Sequence, residues 1–289
     1  MPESLKNVTA YATLTALFCL LASASPVRAS DKAPKTAAEL IDELTQIDEQ
    51  SLGINSSAIY YGFLADTSTG SFQGGVLGIA PHDASPVLRE LVRLGPAALP
   101  ELLKHLDDKR PTKLTVGNSG RADARVGLDF FAFSYFSDEY DPRIFHSWTD
   151  EERKNAPQSM MKNFHGRYTV KVGDICYVLV GQIVNRRLLA VRYQPSAGLV
   201  VNSPIEAPVL AEKTRKDWEN TNADALRASL LDDLHGIAKV KPDELIYYNL
   251  EIAFPAFARL RYYFPVTYST LEGDNLKLRR EYERESKKH

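Results

Sequence analysis

The chain has 289 residues, 44% hydrophobic and 25% charged, and 35 Lys+Arg against 37 Asp+Glu leave a formal charge of −2. Near-neutrality argues against a dedicated nucleic-acid binder, which carries a basic face. The apolar content argues against intrinsic disorder. Length predicts one large domain or two small ones, at roughly 100–200 residues each.

Residues 8–24 carry no charge, follow Lys6, and lead through Ser25 and Pro26 into Val27-Arg28-Ala29. The run is short of the roughly 20 residues that a spanning helix needs, and a small-residue cleavage pattern follows it. We read residues 1–29 as a secretory signal cut after Ala29, with an uncleaved membrane anchor as the rival. Cys19 lies inside the run behind Phe18 and is no lipidation site. Cleavage removes it, so Cys176 is the one cysteine of the mature chain. A lone cysteine forms no internal disulfide and no four-cysteine zinc site. Export without a disulfide framework predicts a bacterial protein, periplasmic or extracellular, large enough to rely on its core. No later segment is long and apolar enough to span a bilayer.

In the mature chain, Thr36-x-x-Glu39 is a capping box, and Leu40, Ile41, Leu44 and Ile47 follow at helical spacing. They predict a helix over residues 37–51, stopped by Gly53. Residues 66–78, rich in Gly, Ser and Thr, read as a loop without a dinucleotide or P-loop glycine pattern. Residues 85–108 contain two apolar stripes, Val87, Leu88, Leu91, Val92 and then Leu99, Leu102, Leu103, Leu106, separated by Gly95-Pro96. Ser85 and Pro86 suit the first helix start. Two helices so short must each bury a stripe against a neighbour. The expected product is an antiparallel helical hairpin.

On the leucines before Gly95, on Pro96-Ala97-Ala98-Leu99-Pro100 and on Leu106-Asp107-Asp108, this stretch resembles a HEAT-type repeat. The resemblance covers about one repeat, and residues 109–121 turn polar instead of beginning another. A solenoid needs about three stacked units, so one copy implies a helical core more than a solenoid.

Phe131, Phe133 and Tyr135 alternate with small or polar residues and predict a strand. Asp174, as a cap, opens a helix through Ile175, Val178, Leu179 and Ile183 that ends near Asn185-Arg186-Arg187. Residues 188–203 predict a β-hairpin turning at Pro195-Ser196-Ala197-Gly198. The text from Tyr168 to Trp218 is similar to uncharacterised secreted bacterial proteins with HEAT-like segments. That resemblance implies export and no known activity. Further helices are expected over residues 207–220, with Leu210, Thr214 and Trp218 on one face, and after a Thr221-x-x-Asp224 cap, with Leu226, Leu230 and Leu234. Residues 247–264 predict a helix interrupted at Pro255. Residues 276–289, with six Lys/Arg and three Glu, predict a solvated tail. The expected fold is mainly α, with HEAT-like hairpins packed as one helical domain over residues 30–275 and a small β element. Two lobes divided around residues 138–163 are the alternative.

Chemical signatures are sparse. Gly117-Asn118-Ser119-Gly120 lacks the last glycine of a nucleophile elbow, since Arg121 stands there. Cys176 sits on an apolar run and reads as a small hydrophobe. His82, His105, His146, His165, His235 and His289 are scattered, without H-E-x-x-H. His146 and Asp150 stand four apart but read as the entry to a helix with acids in its first turn. The cluster Asp138-Glu139-Tyr140-Asp141 lacks the spacing and glycine of a calcium loop. No metal and no cofactor are therefore expected. Asp129, Asp138, Glu139 and Asp141, beside the aromatic strand, are the candidate carboxylates for an envelope hydrolase acting on glycans. Arg186, Arg187 and Arg192 are the candidate grip for an anion or a partner carboxylate. Because no catalytic constellation is complete, the favoured role is a protein-binding or scaffold module with another envelope protein as its partner.

Overall fold

In a computed structural model, the residues described are 33–48, 63–66, 85–117, 149, 151, 162–164, 167–193, 199–201, 203–236 and 252–286. The chain divides into two units, Met1–Pro34 and Lys35–His289. The second unit is mainly helical with small antiparallel sheets.

The capping box forms as expected: Glu39 N–H donates to Thr36 Oγ1 (3.3 Å) and Thr36 N–H to Glu39 Oε2 (2.8 Å). It starts helix α1 (Ala37–Glu43). The helix then tightens into a 3-10 turn, Leu44–Gln46, and stops at Ile47 rather than near residue 51. Ile47 is extended there, and its carbonyl accepts Lys113 N–H from the first strand (3.0 Å). A tertiary hydrogen bond thus ends the helix early.

Helix α2 (Pro86–Arg93) is capped by Ser85, whose Oγ accepts Val87 N–H, with Pro86 in the first turn. A 3-10 turn, Gly95–Ala98, leads into α3 (Leu99–Lys104). Gly95 has φ +58°, and a Cβ there would meet the Tyr263 ring at 2.7 Å. The break needs glycine both for its left-handed backbone and for that close approach. Both predicted leucine stripes are buried, against α1 and against a central helix, α4 (Val172–Val184).

Every residue of α4 is buried. A helix apolar on all sides is what a core position requires. Its start carries Asp174 in the third position, accepting the N–H of the true N-cap, Lys171 (2.8 Å). Its end is Asn185 in the left-handed region, φ 59° and ψ 47°, with Arg186 N–H returning to Gly181 O. Asn tolerates that conformation better than most residues.

Strand β1 (Pro111–Gly117) pairs antiparallel with β3 (Arg167–Lys171), in a register that shifts between Pro111 and Thr115. Thr112, Leu114, Tyr168 and Val170 are buried, whereas Lys113 and Thr169 are exposed. This strand occupies the stretch read from sequence as a polar interlude. The predicted hairpin forms from β4 (Val191–Tyr193) and β5 (Leu199–Val201), joined across β5 by β2 (Lys162–Phe164) in the order β2-β5-β4. Its turn and the predicted aromatic strand lie outside the described residues.

Helix α5 (Pro208–Trp218) buries Leu210, Thr214 and Trp218 as expected. Helix α6 (Ala223–His235) buries Leu226, Leu230 and Leu234, but its cap is Asn222, accepting Ala225 N–H, not Thr221. Helix α7 (Phe254–Tyr263) follows directly on residues 252 and 253, which are wound as π-helix, so the winding changes at the turn that holds Pro255, and residues 247–251 of the predicted helix lie outside the described residues. The proline stands in the first turn, where a missing N–H breaks no bond. The chain instead bends at Phe264 and restarts as α8 (Pro265–Ser269).

The predicted solvated tail is also corrected. Residues from Gly273 form helix α9 (Gly273–Glu285), with Leu278 and Tyr282 buried. Those two are four apart, so they share one face while the charges take the other. Tyr282 stacks on Phe257 and tilts against Phe254, both with centroids 5.6 Å apart. Arg279 Nη1 donates to Tyr268 O (2.6 Å) and Ser269 O (3.2 Å), supplying partners to carbonyls at the end of α8.

Candidate functional site: buried polar clusters and an apolar corner

Three polar clusters and one apolar corner hold the chemistry of the described residues. The first joins β3, the start of α4 and the turn before α5. Asp174, fully buried, accepts from Tyr168 Oη (2.9 Å), from Lys171 N–H (2.8 Å) and from Ser203 Oγ. Burial drives the Asp174 carboxyl above its ordinary range, against the pull of those hydrogen bonds. The Tyr168 hydroxyl is raised by the same burial and by the neighbouring Asp174 charge. Lys171 Nζ stands 3.4 Å from Tyr168 Oη and 3.7 Å from Glu206 Oε1. Serine, tyrosine, lysine and aspartate together look catalytic. However, Ser203 is 0% exposed, gives its proton to Asp174, and accepts the N–H groups of Ile205 (3.0 Å) and Glu206 (3.4 Å). Its hydroxyl has neither access nor a lone pair for a substrate, so the cluster ties elements together.

The second cluster absorbs one of the arginines singled out from sequence. Arg186 is 3% exposed, and its Nη1 donates to Asp233 Oδ2 (2.8 Å) and Asn185 O (2.8 Å). Asn185 Nδ2 donates to the same Asp233 oxygen (2.7 Å) and to Ile252 O (3.1 Å). The Arg186 guanidinium also lies over Trp218, 5.6 Å from the ring centroid. The carboxylate that Arg186 grips is therefore one of this chain's own. Arg187 is half-buried beside it, and Arg192 lies on β4 opposite Val200. The three arginines do not form one exposed grip: Arg186 faces inward and is paired there, because an unpaired guanidinium next to Trp218 would be too costly to bury.

The third cluster is more exposed. Asp108 accepts from Arg110 Nε, Nη2 and backbone N–H and bonds His105 Nδ1 at 3.0 Å, while Arg110 Nη1 reaches Asp42 (2.7 Å). Burial alone would raise the Asp108 carboxyl, but the hydrogen bonds from Arg110 and His105 outweigh it and hold the carboxyl below its ordinary range. The network staples the end of α3 to α1 and β1.

The apolar corner lies where α7 passes into α8. Tyr262-Tyr263-Phe264-Pro265-Val266 are consecutive and none is buried, with Tyr262 38% and Val266 75% exposed. Phe63, from the short described segment 63–66, packs edge-on against Tyr262 and Tyr263 at 5.7 and 5.5 Å. Helical periodicity alone predicts only a helix here. A signal was available, namely an aromatic run bracketed by Pro255 and Pro265, the second of which forces the bend beside which Tyr262 and Val266 stay exposed.

The candidate carboxylates Asp129, Asp138, Glu139 and Asp141 lie outside the described residues, as do Ser119, His146 and Asp150. Cys176 is fully buried and its thiol is pushed up by burial, which favours the inert protonated form. Among the described residues no group of three or more His, Cys, Asp or Glu is arranged to hold a metal ion, and no helix is long and apolar enough to cross a membrane. Compared with protein-family models, with curated proteins and with solved structures, the chain has no match.

Proposed function

We propose that the chain is an exported bacterial envelope protein whose HEAT-like helical layer serves as a binding or scaffold module for another envelope protein. The observation that carries this reading is the apolar corner at residues 262–266, in which Tyr262, Pro265 and Val266 are exposed beside the half-buried Tyr263 and Phe264. Contiguous exposed apolar surface is a mark of protein interaction sites, and tyrosine is among the residues that dominate them. The short helices α2 and α3, punctuated by Gly95, Pro96 and Pro100, support the HEAT-like description, since both bury leucine stripes on shared neighbours. The uncharged run at residues 8–24 followed by Val27-Arg28-Ala29 supports export.

The test is affinity capture of the tagged chain from envelope extract after mild crosslinking, beside the same chain carrying Val266→Asp and Tyr262→Ser. The expected result is a stoichiometric protein captured by the wild type and lost with the variant, which still unfolds cooperatively. Capture that survives both substitutions would remove this surface from the reading. Mass measurement of the mature N-terminus is expected to give Ser30.

A further inference from the structure

We propose that the outward face of α9, marked by Lys277, Arg280 and Arg284, docks on a membrane surface rich in anionic phospholipid. This contact is additional to the protein partner and uses none of residues 262–266.

Helix α9 sorts its charges by exposure. Lys277, Arg280 and Arg284 are exposed, whereas Glu281, Glu283 and Glu285 are half-buried. The three cations stand three and four apart, so they line one face of the helix. Leu278 and Tyr282 are buried on the opposite side, and Arg279 Nη1 donates to Tyr268 O (2.6 Å) and Ser269 O (3.2 Å). These contacts fix the rotation of α9 about its axis and turn the cation stripe outward. From Lys277 to Arg284 the stripe runs about 10 Å, at 1.5 Å per residue. The sequence adds Lys287 and Lys288 after it, outside the described residues.

Helix stability does not account for this arrangement. Like charges four apart, as at Arg280 and Arg284, repel and weaken a helix. The helix dipole favours cations only in the last turn, which Arg284 occupies and Lys277 and Arg280 do not. Nor are the cations neutralised in place. Among the described residues Arg280 makes no ion pair. Lys277 pairs with Asp274 (2.8 Å), but the two side chains are 79% and 89% exposed, and such pairs are weak. Arg284 Nε stands 3.5 Å from Glu285 Oε1. An anionic surface would relieve the repulsion that the stripe carries by itself.

The make-up of the stripe selects its occupant. Protein interfaces are depleted of lysine and organised about buried aromatic or apolar anchors. The exposed face of α9 offers long flexible cations and no such anchor. A fluid bilayer needs none, because its headgroups move to meet the charges, and each Lys or Arg close to an anionic leaflet gains about fivefold in affinity. The formal charge of −2 on the whole chain opposes this little, since at physiological salt charges beyond about 8 Å are screened.

The test uses the chain purified after export, its N-terminus verified by mass, and co-sedimentation with vesicles of phosphatidylglycerol mixed into phosphatidylcholine. The wild type should bind, and Lys277→Gln/Arg280→Gln/Arg284→Gln should bind about 100-fold more weakly, as three charges at about fivefold each require. Glu281→Gln/Glu285→Gln removes flanking anions and should bind more tightly than the wild type. Binding should vanish on phosphatidylcholine alone and in 1 M salt, where the screening length falls to about 3 Å. No binding by the wild type, or equal binding by the triple variant, overturns the proposal. Binding that persists on phosphatidylcholine or in 1 M salt overturns it as well, because apolar insertion then carries the attachment. Should the triple variant fail to fold, the Glu281→Gln/Glu285→Gln variant decides, and no gain in its binding overturns the stripe. If the triple variant loses a crosslinked protein while the wild type ignores vesicles, the stripe faces an acidic protein and the lipid surface is overturned. Vesicle binding without a captured protein removes the partner of residues 262–266 alone. Capture without vesicle binding removes the membrane surface alone.

Discussion

The Arg186–Asp233 pair offers the sharpest test of how the central helix is locked. Both side chains are nearly inaccessible, at 2% and 4% exposure, and Asp233 Oδ2 accepts from two donors, Arg186 Nη1 and Asn185 Nδ2. Asp233→Ala removes the buried anion facing this guanidinium and takes one acceptor from Asn185. Breaking one side of a buried pair costs about 3–5 kcal/mol, because the surviving charge stays desolvated. For a unit of this size that lowers the melting temperature by roughly 6–20 °C. Arg186→Met removes the cation facing Asp233 instead and should cost a similar amount. In the double variant Arg186→Met/Asp233→Leu neither charge remains, and Met lies against Trp218 in place of the guanidinium. Its cost should fall well below the sum of the singles, giving a coupling of about 3 kcal/mol or more. Urea unfolding followed by circular dichroism, with the slope m compared across variants, measures all three. A cost below about 1 kcal/mol for Asp233→Ala, or additive singles, would refute the argument, because the burial of Arg186 would then not depend on Asp233.

Two further expectations concern the ends of the fold. Tyr282→Ala empties the space beside Phe254 and Phe257 and should destabilise the chain by about 3 kcal/mol, as large-to-small changes at buried aromatics do; a change under about 0.5 kcal/mol in thermal unfolding would restore a solvated tail over residues 276–289. Asp108→Asn tests the network at the end of α3. Because the native carboxyl is held below its ordinary 3.8, mainly through Arg110 working against burial, its contribution is complete above that value and disappears as pH falls through the native one. Urea melts of wild type and variant between pH 7 and pH 2.5 should therefore converge at the acid end, and a gap independent of pH would contradict the assignment.

The predicted helices that matched share one property: their signals are local. An apolar stripe within one stretch of chain was enough for α1, α2, α3, α5 and α6, with the caps at Thr36 and Ser85 marking the starts of the first two, and the all-apolar run was enough for the buried α4. The antiparallel hairpin of β4 and β5 was legible for the same reason, since its two strands are neighbours in sequence. The misses share the opposite property. Strand β1 mixes threonine and lysine with few apolar residues, and only pairing with β3, about 54 residues further along at Thr115 and Thr169, makes its period of two meaningful. The 3-10 turn that follows α1 gives way to extended chain at Ile47, whose carbonyl β1 takes. Helix α9 looks like a charged tail until Phe254 and Phe257 offer Tyr282 a place to be buried. Arg186 reads as an exposed cation until Asp233, on another helix, faces it. Sequence by itself determined the balance of charge, most of the helices and their starts, and the leucine stripes that had to be buried, because capping and periodicity act within a few residues. Tertiary structure alone decided which carbonyl ends α1, which arginine turns inward, and which aromatic rings stay at the surface, because each depends on a partner the chain brings close only when it folds.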